Sequence, residues 1–236
     1  MDRADTTVFI VNGDSDERDS LYRLMQSGGL DTTAFASAEQ FLDGCTPQDA
    51  GCVLLELQLP GMGGLELMVA MRSRHYGIPI IVMTGSGNVS AAVQSMKLGA
   101  IDFMEKPVDG PTLVANVKAA IAIDAAWRRS VAATQNAQSR LASLTHREQE
   151  LLLALMEGKS SKQIAAETGL SPRTVENHRA HMLAKTGAKN VAHAVRIGML
   201  AGMTCEEPTR LRTSGCCRPF PIGPFPPLLA CGPMRA

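Results

Sequence analysis

The sequence predicts two folded parts of different class: an α/β domain built on a five-stranded, parallel, doubly wound sheet, then an all-α domain of four short helices. Three observations predict this. Between residues 7 and 122, short apolar runs alternate five times with amphipathic segments. Two of the runs, Val53-Leu54-Leu55 and Ile80-Ile81-Val82-Met83, are continuously apolar, as central strands buried on both faces must be. Charge is also divided. Residues 1–123 hold 8 Lys/Arg against 15 Asp/Glu, and residues 142–202 hold 8 against 5, although the 236-residue chain balances at 23 of each sign.

The apolar runs predict strands at 7–11, 32–35, 52–57, 78–83 and 100–104, with helices between and after them at 16–27, 37–44, 64–74, 89–98 and 110–122. Residues 124–141 are rich in Ala, Gln and Arg and contain neither Gly nor Pro, which favours a helical linker. In the block that follows, Thr145 and Glu148 form a capping box ahead of a stripe of Leu151, Leu152, Leu155 and Met156. Gly158 ends that helix. Ser160 or Ser161 opens a second one that reaches Thr168. Gly169-Leu170 make a tight turn, and Ser171-Pro172 supply the N-cap and first residue of a third helix ending near Lys185. A fourth covers 191–200. Ile164, Leu170, Val175, Met182 and Leu183 are spaced to point inward. From Pro208 onward lie seven of the 13 prolines and no helical period, so 203–236 is expected to be a disordered Pro/Cys-rich tail.

The first five residues include two carboxylates and lead into no sustained apolar stretch, so no secretory signal is expected, and no membrane partner is expected either. The expected location is cytoplasmic. Of six cysteines, Cys45 and Cys52 lie in the acidic half and four in the last 32 residues; this is no scaffold spacing, and reduced thiols are expected.

Three motifs follow the third, fourth and fifth strands: Leu59-Pro60-Gly61-Met62-Gly63-Gly64, Thr84-Gly85 and Glu105-Lys106-Pro107. On these residues the first half resembles the flavodoxin-like receiver domain of two-component response regulators. The second half resembles a LuxR-type helix-turn-helix, and residues 5–201 are similar to regulators of the FixJ/NarL class. The resemblance divides the chain into a receiver-like domain (5–123), the helical linker (124–141), a LuxR-type DNA-binding domain (142–202) and the tail (203–236).

A receiver accepts a phosphoryl group on an aspartate. The carboxylate attacks phosphorus, a divalent cation neutralises the clustered oxygens, and a lysine and a hydroxyl hold the product. The resemblance assigns the hydroxyl to Thr84, the lysine to Lys106 and the switch aromatic to Phe103. Two positions depart from the family. Glu56 stands where the nucleophilic aspartate belongs, and Asn12-Gly13 where the acidic metal-binding pair belongs. Asp14 lies one residue too late to replace that pair. Neither a tight magnesium site nor any other metal or cofactor is therefore expected. Glutamate is one methylene longer than aspartate, which lets Glu56 accept from Thr84 and pair with Lys106. The receiver is then either held in an activated-like arrangement without phosphorylation, or is an inert platform for dimerisation. The run Thr84-Gly85-Ser86-Gly87-Asn88 lacks the Lys-Ser/Thr ending of a nucleotide loop and is not read as one.

In the second half, residues 162–168 support, Gly169-Leu170-Ser171 turn and the helix from Pro172 reads. The resemblance implies base-edge contacts from Glu176, Asn177 and Ala180, and phosphate contacts from Lys162, Arg173, Thr174, Arg179 and Lys185. The chemistry agrees: Asn suits adenine, Glu accepts from cytosine, Ala meets a thymine methyl, and the cations release counterions. His178 and His181, spaced i, i+3, are not read as a metal site; His178 is expected to pack internally. His75, His146 and His193 are read as surface residues. The small net charge of this block requires pairing. Contacts are expected from 191–200 and from the fourth-to-fifth-helix face of the receiver. Double-stranded DNA, a second copy of the chain, RNA polymerase and a sensor kinase or other regulator are the implied partners, and no enzymatic activity is expected. The reading kept beside this one is a pseudo-receiver that docks or sequesters a kinase or regulator.

Overall fold

The computed structural model describes residues 6–85 and 89–204. Contacts divide these into two compact units, 6–127 and 128–204. The first contains five parallel strands, β1 (Thr6–Val11), β2 (Asp31–Phe35), β3 (Ala50–Glu56), β4 (Ile80–Thr84) and β5 (Asp102–Glu105), in the spatial order β2-β1-β3-β4-β5. Helices α1 (Ser15–Ser27), α2 (Ala38–Gly44), α3 (Gly64–Ser73) and α4 (Val89–Leu98) connect them, and α5 (Gly110–Leu141) follows.

Strand alternation makes two cores from one sheet. Phe9, Val11, Val53, Leu55, Ile80 and Val82 face one side, where Phe41 of α2 and Leu67, Met68 and Met71 of α3 cover them. Val8, Ile10, Cys52, Leu54, Ile81 and Met83 face the other, under Leu21 and Met25 of α1 and Leu113, Val117 and Ala120 of α5. Every one of these strand residues is 7 % exposed or less, which is why β1, β3 and β4 read as unbroken apolar runs.

The predicted strands and helices all occur, with shifted ends. β3 begins at Ala50 because Ala50 and Gly51 pair with Thr6 and Thr7, and it stops at Glu56 because Leu57 turns to accept from the Gly64 N–H at 3.0 Å. β5 starts at Asp102, not 100, because the Ala100 N–H still closes the end of α4 on Ser95. The helix expected at 110–122 and the helical stretch 124–141 are one helix. Nothing between Pro111 and Leu141 breaks the i→i−4 ladder.

The second unit contains α6 (His146–Met156), α7 (Ser161–Thr168), α8 (Pro172–Thr186) and α9 (Val191–Leu200), and the last turns of α5 add Ala137 and Leu141 to its core. Thr145 and Glu148 form the expected capping box, and Ser160, not Ser161, caps α7. Gly169 closes α7 at φ +69, a conformation that side chains with a Cβ avoid. Ile164, Val175 and Met182 are buried and Leu183 packs beside them. Leu170 does not point inward: it is 36 % exposed. It sits in the turn between Gly169 and the Ser171 cap, where no helical face dictates its direction. The tail (205–236), the first five residues and Ser86-Gly87-Asn88 lie outside the described residues. Among the described residues no helix is long and apolar enough to cross a membrane.

Candidate functional site

The strand order reverses direction across the sheet between β1 and β3, which opens a crevice at their carboxyl ends. Four positions expected from the sequence meet there. Asn12 follows β1, Glu56 ends β3, Thr84 ends β4 and Lys106 follows β5; the Lys106 N–H donates to the Thr84 carbonyl at 2.9 Å. Asn12, Glu56 and Thr84 are buried.

The Lys106 ammonium donates to Glu56 Oε2 and, at 2.6 Å, pairs with Glu17 Oε1. Glu56 Oε1 accepts from the Gln58 N–H at 3.1 Å. Glu17 Oε2 accepts from Asn12 Nδ2 at 2.9 Å, and Asn12 Oδ1 accepts from the Asp14 N–H at 2.9 Å. Asp14 caps α1 by accepting from the Glu17 N–H at 2.8 Å. The Arg18 guanidinium donates to the Asn12 carbonyl at 2.8 Å. Burial alone lowers the basicity of Lys106. Hydrogen bonds and charge from Glu17 and Glu56 more than reverse this and hold the ammonium above its ordinary value.

Gly13 is exposed, and a Cβ there would stand 2.7 Å from Pro60 Cδ, so any side chain at this position must displace the loop after β3. That loop is tied to α2 by Glu39, which accepts from the Met62 N–H at 2.9 Å. Phe103 is half-buried against the core on the α2–α3 side. Glu17, Arg18 and Glu39 were not among the residues expected here. The available signal for Glu17 was its spacing, third in the helix that Asp14 caps, which turns it toward the strand ends.

In the second unit, α8 presents Arg173, Glu176, Asn177 and Ala180 on one exposed stripe, opposite buried Val175 and Met182. Lys162 is exposed on α7. Thr174 is half-buried; its N–H and hydroxyl both meet the Ser171 hydroxyl of the cap. Glu176 accepts from the Ser161 hydroxyl at 2.6 Å and pairs with the half-buried Arg179 at 3.3 Å. Lys185, itself exposed, donates to Oε2 of the buried Glu148 at 2.7 Å. Burial opposes ionisation of Glu148, but Lys185 and the N–H and hydroxyl of Thr145 prevail and bring its carboxyl down to about 2. His178 is half-buried and His181 exposed. No cluster of three or more His, Cys, Asp or Glu suited to a metal ion occurs among the described residues.

Comparison with known proteins gives this geometry a family. Residues 8–118 match the response regulator receiver domain, and residues 142–197 match the LuxR family of bacterial regulatory proteins. The chain belongs to the two-component response regulators that join a receiver to a LuxR-type DNA-binding domain, and is a regulator of transcription. Over 196 residues it is 40 % identical to the transcriptional regulatory protein FixJ of Azorhizobium caulinodans, covering 83 % of this chain and 93 % of that protein. Among solved structures, the response regulator StyR aligns with a TM-score of 0.75 at 32 % identity, covering 82 % of this chain and 98 % of StyR. Full-length FixJ from B. japonicum aligns with a TM-score of 0.53 at 39 % identity over 84 % of this chain and 98 % of that one.

Proposed function

We propose that this regulator works without phosphorylation of its receiver, and that the Glu56–Lys106 ion pair holds the domain in one activated-like state. The observation that carries this reading is the contact itself: the Glu56 carboxylate holds the lysine that a phosphoryl group would have to engage. Magnesium does not fit the donor set at the strand ends. Both oxygens of Glu17 and of Glu56 already accept hydrogen bonds, Asn12 turns its amide to Glu17, Gly13 offers no side chain and Asp14 is engaged as a helix cap. Incubating the full chain with a small phosphodonor and magnesium and weighing it intact tests the reading. No adduct is expected, and a stoichiometric phosphate on the receiver overturns it. DNA affinity must also differ between the parent and Glu56→Gln; identical affinity leaves the receiver as an inert platform.

The DNA contacts we assign come from α8, with one from α7. Glu176, Asn177 and Ala180 face base edges, and Lys162, Arg173, Thr174 and Arg179 engage phosphates. Lys185 is left out because its ammonium already pairs with the Glu148 carboxylate at 2.7 Å. Dimerisation is assigned to α9 and to α4 at the edge of the fourth-to-fifth-helix face. Supporting this, Val89, Val93 and Met96 line one exposed face of α4 at 77 %, 47 % and 43 % exposure, and Met199 and Leu200 are exposed at the end of α9. We keep 5–123, 124–141 and 142–202 as receiver, linker and DNA-binding domain. RNA polymerase, a sensor kinase or other regulator that docks on the receiver without passing it a phosphoryl group, and a cytoplasmic location belong to the same proposal.

A further inference from the structure

We propose that Glu17 is a second holder of Lys106, a positioning residue that replaces the missing acid of the β1–α1 loop from one turn inside α1, so that Glu17 and Glu56 each contribute to the hold on the lysine. The inference rests on the reading of Glu56 given above and adds a residue to it.

Of the acids on α1, Asp16 and Asp19 are exposed, whereas Glu17 is half-buried with both carboxylate oxygens engaged. An exposed helical glutamate normally gains little from a nearby lysine, because water screens the pair and the long side chains lose freedom. Here three features remove that objection. The Lys106 side chain is only 17 % exposed, so its charge is poorly hydrated. Asn12, itself 2 % exposed, fixes Glu17 Oε2 and leaves Oε1 aimed at the ammonium. The Glu17 backbone is fixed as well, since its N–H is the one that Asp14 caps.

Lys106 therefore stands between a carboxylate from β3 and a carboxylate from α1. The other charged groups nearby are committed elsewhere. Arg18 donates to the Asn12 and Gly13 carbonyls, and Asp14 accepts from the backbone. The lysine's charge leaves the pair of acids at about −1 instead of −2.

Competitive acylation of the full-length protein at one fixed pH tests the inference, with the remaining lysines as internal standards and peptide mass spectrometry as readout. Four proteins are compared: the parent, Glu17→Gln, Glu56→Gln and the double variant. Glutamine keeps the acceptor for Asn12 and removes only the charge. Loss of one adjacent carboxylate is expected to raise the Lys106 acylation rate roughly tenfold, and the double variant is expected to be fastest. If Glu17→Gln matches the parent while Glu56→Gln is faster, the inference falls and the reading of Glu56 stands. If Glu17→Gln is faster and Glu56→Gln is not, the inference stands and the reading of Glu56 falls. If neither single variant moves, both fall. Should Glu17→Gln fail to fold, Glu17→Met removes the same charge from the same helix and is read in the same way.

Discussion

Replacing Glu148 by glutamine is expected to loosen the packing of the reading helix on α6 by about 1–2 kcal/mol near neutral pH, and by nothing in strong acid. The carboxylate is buried and holds three donors: the Thr145 N–H at 2.8 Å, its hydroxyl at 2.9 Å and the Lys185 ammonium at 2.7 Å. Its carboxyl lies at about 2 in the folded protein against 4.5 unperturbed, which corresponds to at most about 3 kcal/mol of linkage. Lys185 is 38 % exposed, so solvent screens the pair and about half of that figure remains. Because folding lowers this group's pKa, its contribution is complete above about 4.5 and is lost as pH falls toward about 2. Amide hydrogen exchange on peptides from α6 and α8 of the full chain, corrected for the intrinsic pH dependence of exchange, measures the local opening free energy. Parent and Glu148→Gln are expected to differ at pH 6 and converge as pH approaches 2. A difference that stays constant across that range would show that the ionised carboxylate is not what ties the two helices together.

Lysine and arginine on the DNA-binding unit are expected to separate by salt dependence. Arg173→Ala should weaken DNA binding across sequences and reduce the slope of log K against log[salt] by about 1, whereas Lys185→Ala should leave the slope unchanged, because Glu148 already neutralises that charge. Filter binding or fluorescence anisotropy at several salt concentrations measures both. On the receiver, Met96→Glu places a charge in the exposed stripe of α4 and should shift the full chain toward monomer in sedimentation experiments. An unchanged dimer would move the interface off α4.

Much of the fold was legible because burial on two faces leaves a direct trace in composition. Val53, Leu54, Leu55 and Ile80 to Met83 face two cores at once, so no polar residue is tolerated and the strands announce themselves. Local capping chemistry was equally readable: Thr145 with Glu148, and Ser171 with Pro172, act within one turn and need no distant partner. Strand ends were less so. Where β3 and β5 begin depends on which neighbouring carbonyls are available, and those lie on other segments of the chain. The continuity of α5 illustrates a related limit. A change in composition at residue 124 suggested a break, but the hydrogen-bond ladder responds only to Gly, Pro or lost backbone partners.

The amino-acid sequence placed glutamate at position 56 and Asn12-Gly13 after the first strand, and its resemblance to receiver domains marked these as departures from an aspartate and a pair of acids and implied Thr84, Phe103 and Lys106 around them. Tertiary structure decided where the charges go. Glu17 reaches Lys106 from α1 across 89 positions of chain, and Lys185 pairs with Glu148 from α8 across to α6. Both facts have the same physical origin. A long, flexible charged side chain takes the direction in which opposite charge and low hydration coincide, and that direction exists only once separate elements have packed against each other.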